Sequence, residues 1–186
     1  MADDVRERMV RSAIVLLARS GYQGTSFRDV IAHSRTPRGS IYHHFPNGKD
    51  ELIAAAMATA GDGAIAMLDE LDGRSAPEIV DAFLLAWRAL LAHTDFALGC
   101  SVLGVTVTAT SAELVADAGQ VFSRWTQRLA ELFVGAGLPA ADAAALATLL
   151  IASGEGAVVL ARAQSSFAPF DLVHEQMRAI AAAAVD

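Results

Sequence analysis

The chain has 186 residues, 54% of them hydrophobic, and a formal net charge of −7 at pH 7. Its single cysteine, Cys100, excludes an intrachain disulfide framework and a cysteine zinc cluster. The longest strongly apolar stretch, residues 143–154, spans 12 residues, where a membrane span needs about 20, and the opening MADDVRER lacks the basic-then-apolar order of a signal peptide. A soluble cytoplasmic protein without membrane association is expected. The charge is unevenly spread: residues 1–50 carry +3 and residues 51–186 carry −10. A mildly basic head on an acidic body suits a protein that binds nucleic acid at one end, although ordinary surface variation gives the same totals.

The elements read as helices throughout. Residues 5–20 set Val5, Met9, Val10, Ala13, Ile14 and Leu17 at three-to-four spacing, and Gly21 is a natural stop. Ser26 is expected to cap the next helix with Asp29 at its third position, turning Phe27, Val30 and Ile31 inward. Thr36-Pro37 predicts a cap and first turn for a third helix over 36–45, which stops before Pro46. Asn47 is expected to cap a fourth helix through Leu52, Ile53, Met57, Ile65 and Leu68, loosened at Gly61 and Gly63. Beyond Gly73, breaks near 75–77, 94–99, 110–111, 135–139 and 165–169 separate five more helices. The expectation is an all-α chain of about nine helices, with a head at 1–48, a connector at 49–73 and a body at 74–186.

The third helix carries the chemistry. Ile41 and Phe45, four residues apart, belong inside, which leaves Arg38, Ser40, Tyr42, His43 and His44 toward the outside. Two helices joined by a short turn, the second bearing cationic, polar and aromatic groups, suit the major groove of double-stranded DNA. An exposed amphipathic turn has the same pattern.

The segments GYQGTSFRDV and PRGSIYHHFPNGKDEL resemble the head of the tetracycline-repressor-like (TetR/AcrR) transcriptional regulators. Gly39, Ser40, Ile41, Tyr42, His44, Phe45 and Lys49 fit that family's pattern in order and spacing. The extra residue before Lys49 is similar to the LmrA/YxaF-like branch, and the likeness covers about residues 5–60. The resemblance implies that Ser26 and Arg28 touch phosphates. It sets Thr36, Arg38, Ser40 and His43 at bases or nearby phosphates, with Tyr42, His44 and Lys49 clamping the backbone. Arg35 stands where the family has glycine in the turn. Either the turn takes another shape, or Arg35 offsets the cost of a left-handed backbone by meeting a phosphate.

In the body, the patterns 140–164 and 171–185 have dense small and apolar faces that suit an internal helical hairpin. The resemblance implies instead that they pair two copies into a homodimer on a palindromic operator. It also implies an effector cavity among Phe83, Trp87, Phe96, Cys100, Leu103, Thr106, Val107, Phe122, Trp125 and Glu155, with Thr110 and Arg128 as further polar contacts. Read from spacing alone, the aromatic stripe is plain core, and Glu155 suits an ion pair with Arg124, Arg128 or Arg162 as well as a ligand. The expected function is a repressor released by a small apolar or aromatic effector, the alternative being a regulator of the same fold with a filled core. No cofactor or metal is expected. An all-α enzyme using Cys100, His174 or Glu155 is a remote third reading, for no nucleophile–base motif joins them.

Overall fold

The computed structural model describes residues 5–184; Asp3 and Asp4 of the head's charge and Val185 of the last helical pattern lie outside the described residues. The described residues form α1 (Val5–Ser20), α2 (Phe27–Ser34), α3 (Ser40–His44), α4 (Lys49–Asp69), α5 (Ala76–His93), α6 (Ser101–Thr108), α7 (Ala112–Gly135), α8 (Ala140–Gln164) and α9 (Ala168–Ala183), with no strand among them. The all-α, nine-helix expectation holds for them. They gather into two compact units, one of residues 5–63 with 100–121, the other of residues 64–99 with 122–184. The segment holding α6, expected in the body, therefore packs with the head.

In the first unit, α1 buries Met9, Val10, Ala13 and Leu17, α2 buries Val30, α3 buries Ile41, and Phe45 follows fully buried. Leu52, Ile53, Ala56 and Met57 of α4 are buried in the same unit. Helix α6 lies tight on α1: a Cβ added to Gly104 would stand 2.7 Å from the Leu17 carbonyl oxygen. Gly21, at φ +66°, stops α1 with its amide bonded to the Leu17 carbonyl, and a Cβ there would meet Thr108 Oγ1 at 2.7 Å.

Helix starts follow local chemistry, with three corrections. Helix α2 begins on the expected capping box, Ser26 Oγ accepting the Asp29 amide and the Asp29 carboxylate accepting the Ser26 amide, each at 3.2 Å. Helix α3 begins at Ser40, not Thr36. The Ser40 amide closes a tight turn onto the Pro37 carbonyl at 3.1 Å, and the Thr36 hydroxyl pairs with Ser34 at 2.7 Å instead of capping. Helix α4 begins at Lys49, and there Asn47 contributes its backbone N–H, to the Glu51 carboxylate at 2.9 Å. It runs unbroken through Gly61 and Gly63. Helix α9 opens at Ala168, three residues before Asp171, using Pro169 in its first turn.

The second unit packs α5, α8 and α9 together. Ile79, Val80, Phe83, Leu84, Leu146, Ala147, Leu150, Ala157, Val158, Phe170 and Met177 form its interior. Around the rim, Arg178 Nε donates to Asp81 at 3.0 Å, His174 Nε2 lies 2.8 Å from the same carboxylate, and Arg88 pairs with Asp171 at 2.8 Å. Arg128 bonds Asp69 at 2.6 Å and Asp72 at 2.9 Å, and these hydrogen bonds hold its guanidinium above the usual arginine range against desolvation. By length and mean hydropathy (1.4 and 1.8), α4 and α8 are long and apolar enough to cross a membrane. A core helix passes the same test, and α8 buries Leu146, Ala147, Leu150, Ile151, Ala157, Val158 and Ala161.

Candidate nucleic-acid interface

Helices α2 and α3 present one exposed face. Phe27 opens α2 and meets the Tyr42 ring edge-on, centroids 5.6 Å apart at 79°. Tyr42 is 67% exposed, although it belongs to a helix anchored by fully buried Ile41. Arg28 and Arg38 stand exposed on either side, and Phe27, Arg28, Ile31, Ala32, Arg38 and Tyr42 line a groove of about 780 Å³. Its lining joins apolar and aromatic side chains to two exposed arginines. That combination fits a sugar-phosphate strand or the methyl-bearing edge of a base pair.

Other expected residues fall around it. Ser26 is exposed at the start of α2, where its bonds hold the Asp29 carboxyl below the usual carboxylate range, first through the side-chain hydrogen bond, then the backbone one, with Arg28 adding attraction. Arg35 ends α2 at φ 53°, ψ 42°, so the turn is left-handed with an exposed arginine at the position that favours glycine. Ser40 is half-buried and spends its hydroxyl on the Pro37 carbonyl at 2.6 Å. His43 is exposed and His44 half-buried, their rings 5.3 Å apart. Thr36 is turned inward, 7% exposed.

Lys49 is half-buried at the start of α4, with Nζ 2.6 Å from the Tyr22 carbonyl oxygen and 3.6 Å from the centre of the Tyr22 ring. Burial lowers its pKa and the neighbouring Asp50 carboxylate opposes that shift. Phe27 and Ile31, expected to turn inward, are half-buried and line the groove, and neither Ala32, which also lines it, nor Tyr22 beside Lys49 was among the expected contacts. The available signal was the apolar α2 face continuing past Val30 to Ile31 and Ala32.

The residues expected to line an effector cavity are distributed over both units. In the first, Cys100 caps α6 with Sγ accepting the Leu103 amide at 3.3 Å, Thr106 bonds its own helix at the Val102 carbonyl, Leu103 is half-buried, and Val107 is 68% exposed. In the second, Phe83 and Trp125 are buried, Trp87 and Glu155 are half-buried, Phe96 stacks at 4.7 Å on Phe167, and Phe122 meets Trp125 edge-on at 5.4 Å. A shallow groove of about 520 Å³ in that unit, lined by Phe122, Ser123, Thr126, Gln127, Ala130, Ala144 and Thr148, shares only Phe122 with the expected set.

Three head helices with an exposed basic and aromatic face, in a chain whose described residues are otherwise helical and loop, have the arrangement of a helix-turn-helix regulator. The comparisons agree: residues 10–56 match the profile of bacterial regulatory proteins of the tetR family, and residues 76–176 match that of the LmrA/YxaF-like transcriptional regulator C-terminal domain. An uncharacterised HTH-type transcriptional regulator of Mycobacterium tuberculosis is 40% identical over 180 residues, covering 93% of this chain and 92% of the relative. The Bacillus subtilis regulator YxaF is 28% identical, covering 94% and 93%. The crystal structure of a regulatory protein TetR from Rhodobacter sphaeroides superposes with a TM-score of 0.85 at 26% identity, covering 96% of this chain and 99% of that one. The chain belongs to the TetR family of bacterial transcriptional regulators, in its LmrA/YxaF-like branch.

Proposed function

We propose that this regulator is a cytoplasmic, homodimeric repressor that holds a palindromic duplex and leaves it when a small apolar or aromatic effector binds. The groove between α2 and α3 carries the proposal, because Arg28, Arg38 and Tyr42 line it together with the apolar Phe27, Ile31 and Ala32. In this assignment Ser26, Arg28, Arg35 and Lys49 meet phosphates, Arg38, Ser40 and His43 face base edges, Tyr42 and His44 grip the backbone, and Thr36 supports them from within. Residues 1–48 bind DNA, 49–73 connect, and 74–186 pair and sense.

One five-residue reading helix reaches few bases, so affinity calls for two copies about one turn of DNA apart. Leu149, Val159 and Leu160 on α8 and Leu172 and Ile180 on α9 are large apolar side chains left exposed, which supports pairing through those helices. The effector acts by binding the DNA-free arrangement more tightly; the aromatic residues Phe83, Trp87, Phe96, Phe122 and Trp125 suit an apolar ligand. The deciding experiment selects duplexes from a random pool with the purified protein, then follows binding against salt and against an apolar compound panel, with the mass measured by sedimentation. Failure to select any duplex, or a monomer at micromolar concentration, sinks the proposal. A compound that raises the melting temperature and releases the selected duplex supports the effector.

A further inference from the structure

Tyr22 stands in the turn between α1 and α2, outside the α2–α3 groove, yet each of its polar atoms has a partner. Its amide donates to Thr108 Oγ1 at 2.8 Å. Its carbonyl accepts the Thr25 amide at 3.2 Å and the Lys49 ammonium at 2.6 Å. Its hydroxyl donates to Asp50 Oδ1 at 2.6 Å. One residue thus joins the entry to α2, the first turn of α4 and the last residue of α6. The position is fixed from behind, because Gly21 leaves no room for a side chain against Thr108.

The arrangement sorts two opposite charges that are neighbours in sequence. Lys49 and Asp50 open α4 together, and a flexible lysine beside Asp50 and Glu51 readily folds back on a carboxylate. Here the Tyr22 phenol takes Asp50, while its carbonyl and ring face take the ammonium. An ammonium has three N–H groups. One goes to the carbonyl and one to the ring, which leaves one for a phosphate oxygen. The phenol is a donor throughout the physiological range, for the Asp50 hydrogen bond, then burial, then the Asp50 charge push its pKa up to about 12.

We propose that Tyr22 is a positioning residue for DNA binding, which holds the Lys49 ammonium ready for a phosphate, withholds the Asp50 carboxylate from it, and is itself held by Thr108. This rests on reading the head as the DNA-binding surface. Preformed contacts avoid the ordering cost that a free lysine meets on binding.

The test uses the full-length protein and a duplex selected by it. Tyr22→Phe keeps ring and carbonyl but frees Asp50, and is expected to weaken binding about three- to tenfold, an effect of the size of one ordered side chain. Adding Asp50→Asn to Tyr22→Phe restores most of the loss. Lys49→Met lowers the salt slope by about one ion, and Tyr22→Leu added to Lys49→Met weakens binding no further. Ultraviolet titration of Asp50→Asn shows one of the two tyrosines ionising at lower pH than in the unaltered protein. Wild-type binding by Tyr22→Phe, or a loss that Asp50→Asn does not restore, overturns the proposal even if the fold is weakened. If the unaltered protein selects no duplex, or Arg38→Ala leaves binding unchanged, the DNA-binding reading itself falls, and the proposal with it.

Discussion

Gly104 and Leu17 bring α6 and α1 so close that a Cβ on the glycine would stand 2.7 Å from the leucine carbonyl oxygen. Backbone on both sides cannot yield as a side chain tip would, so Gly104→Ala must push the helices apart. It is expected to cost about 1–3 kcal/mol, as overpacking generally does. Urea denaturation measures this, and an unchanged midpoint would mean the two helices do not press on each other.

Arg35 predicts effects of opposite sign on stability and binding. Its φ of 53° is unfavourable for a side chain, so Arg35→Gly is expected to stabilise the head, by about 0.5–1 kcal/mol once the extra freedom of glycine in the unfolded chain is subtracted. Under the proposed assignment the same substitution removes a phosphate contact and is expected to lower the salt slope of DNA binding by about one. Calorimetry and a salt titration separate the two. A stabler variant with an unaltered slope shows that Arg35 does not touch DNA.

Thr36 and Tyr42 are predicted to fail in different assays. Tyr42, largely exposed, should lose DNA affinity as Tyr42→Ala with only a small change in melting temperature. Thr36 is buried with its hydroxyl on Ser34, so Thr36→Val should destabilise the head by about 1 kcal/mol through the missing hydrogen bond. If Thr36→Val alters base preference with no change in stability, its inward placement does not describe the DNA-bound protein.

Helix α5 opens on a capping box like that of α2, the Glu78 carboxylate accepting the Ser75 amide at 2.9 Å, and the two boxes give the pH dependence. Ser26 depresses the Asp29 carboxyl and Ser75 depresses the Glu78 carboxyl, in each case first through the side-chain hydrogen bond and then the backbone one. A carboxyl with a folded pKa below its unfolded value stabilises the fold above the unfolded value, and that contribution is lost as pH falls through the folded one. Stability should therefore decline on acidification below about pH 4, and Ser26→Ala and Ser75→Ala should each flatten the decline. Parallel pH curves for variant and parent would exclude the boxes as its source.

How far the sequence was legible depended on how far apart the interacting residues lie. The Ser26–Asp29 box was readable because its partners are three residues apart and their bonds are local. The start of α3 was misread because Pro37 satisfies a helix-start rule and a tight-turn rule equally well. The Ser34 hydroxyl that draws Thr36 inward becomes relevant only once α2 ends in a left-handed turn. Tyr22 stands out only as a letter of the segment GYQGTSFRDV, since Asp50 and Thr108, 28 and 86 residues away, give it no local pattern. The aromatic residues of the body were visible as apolar, but spacing along single helices does not say which neighbour each one meets.

Helix α3 is held from within by Ile41, with Phe45 directly after it, both fully buried. Arg38 and His43 lie outside that anchor and face solvent. Exchanging them leaves the interior untouched, so under the proposed base contacts a new target sequence needs only substitutions that are nearly silent for folding.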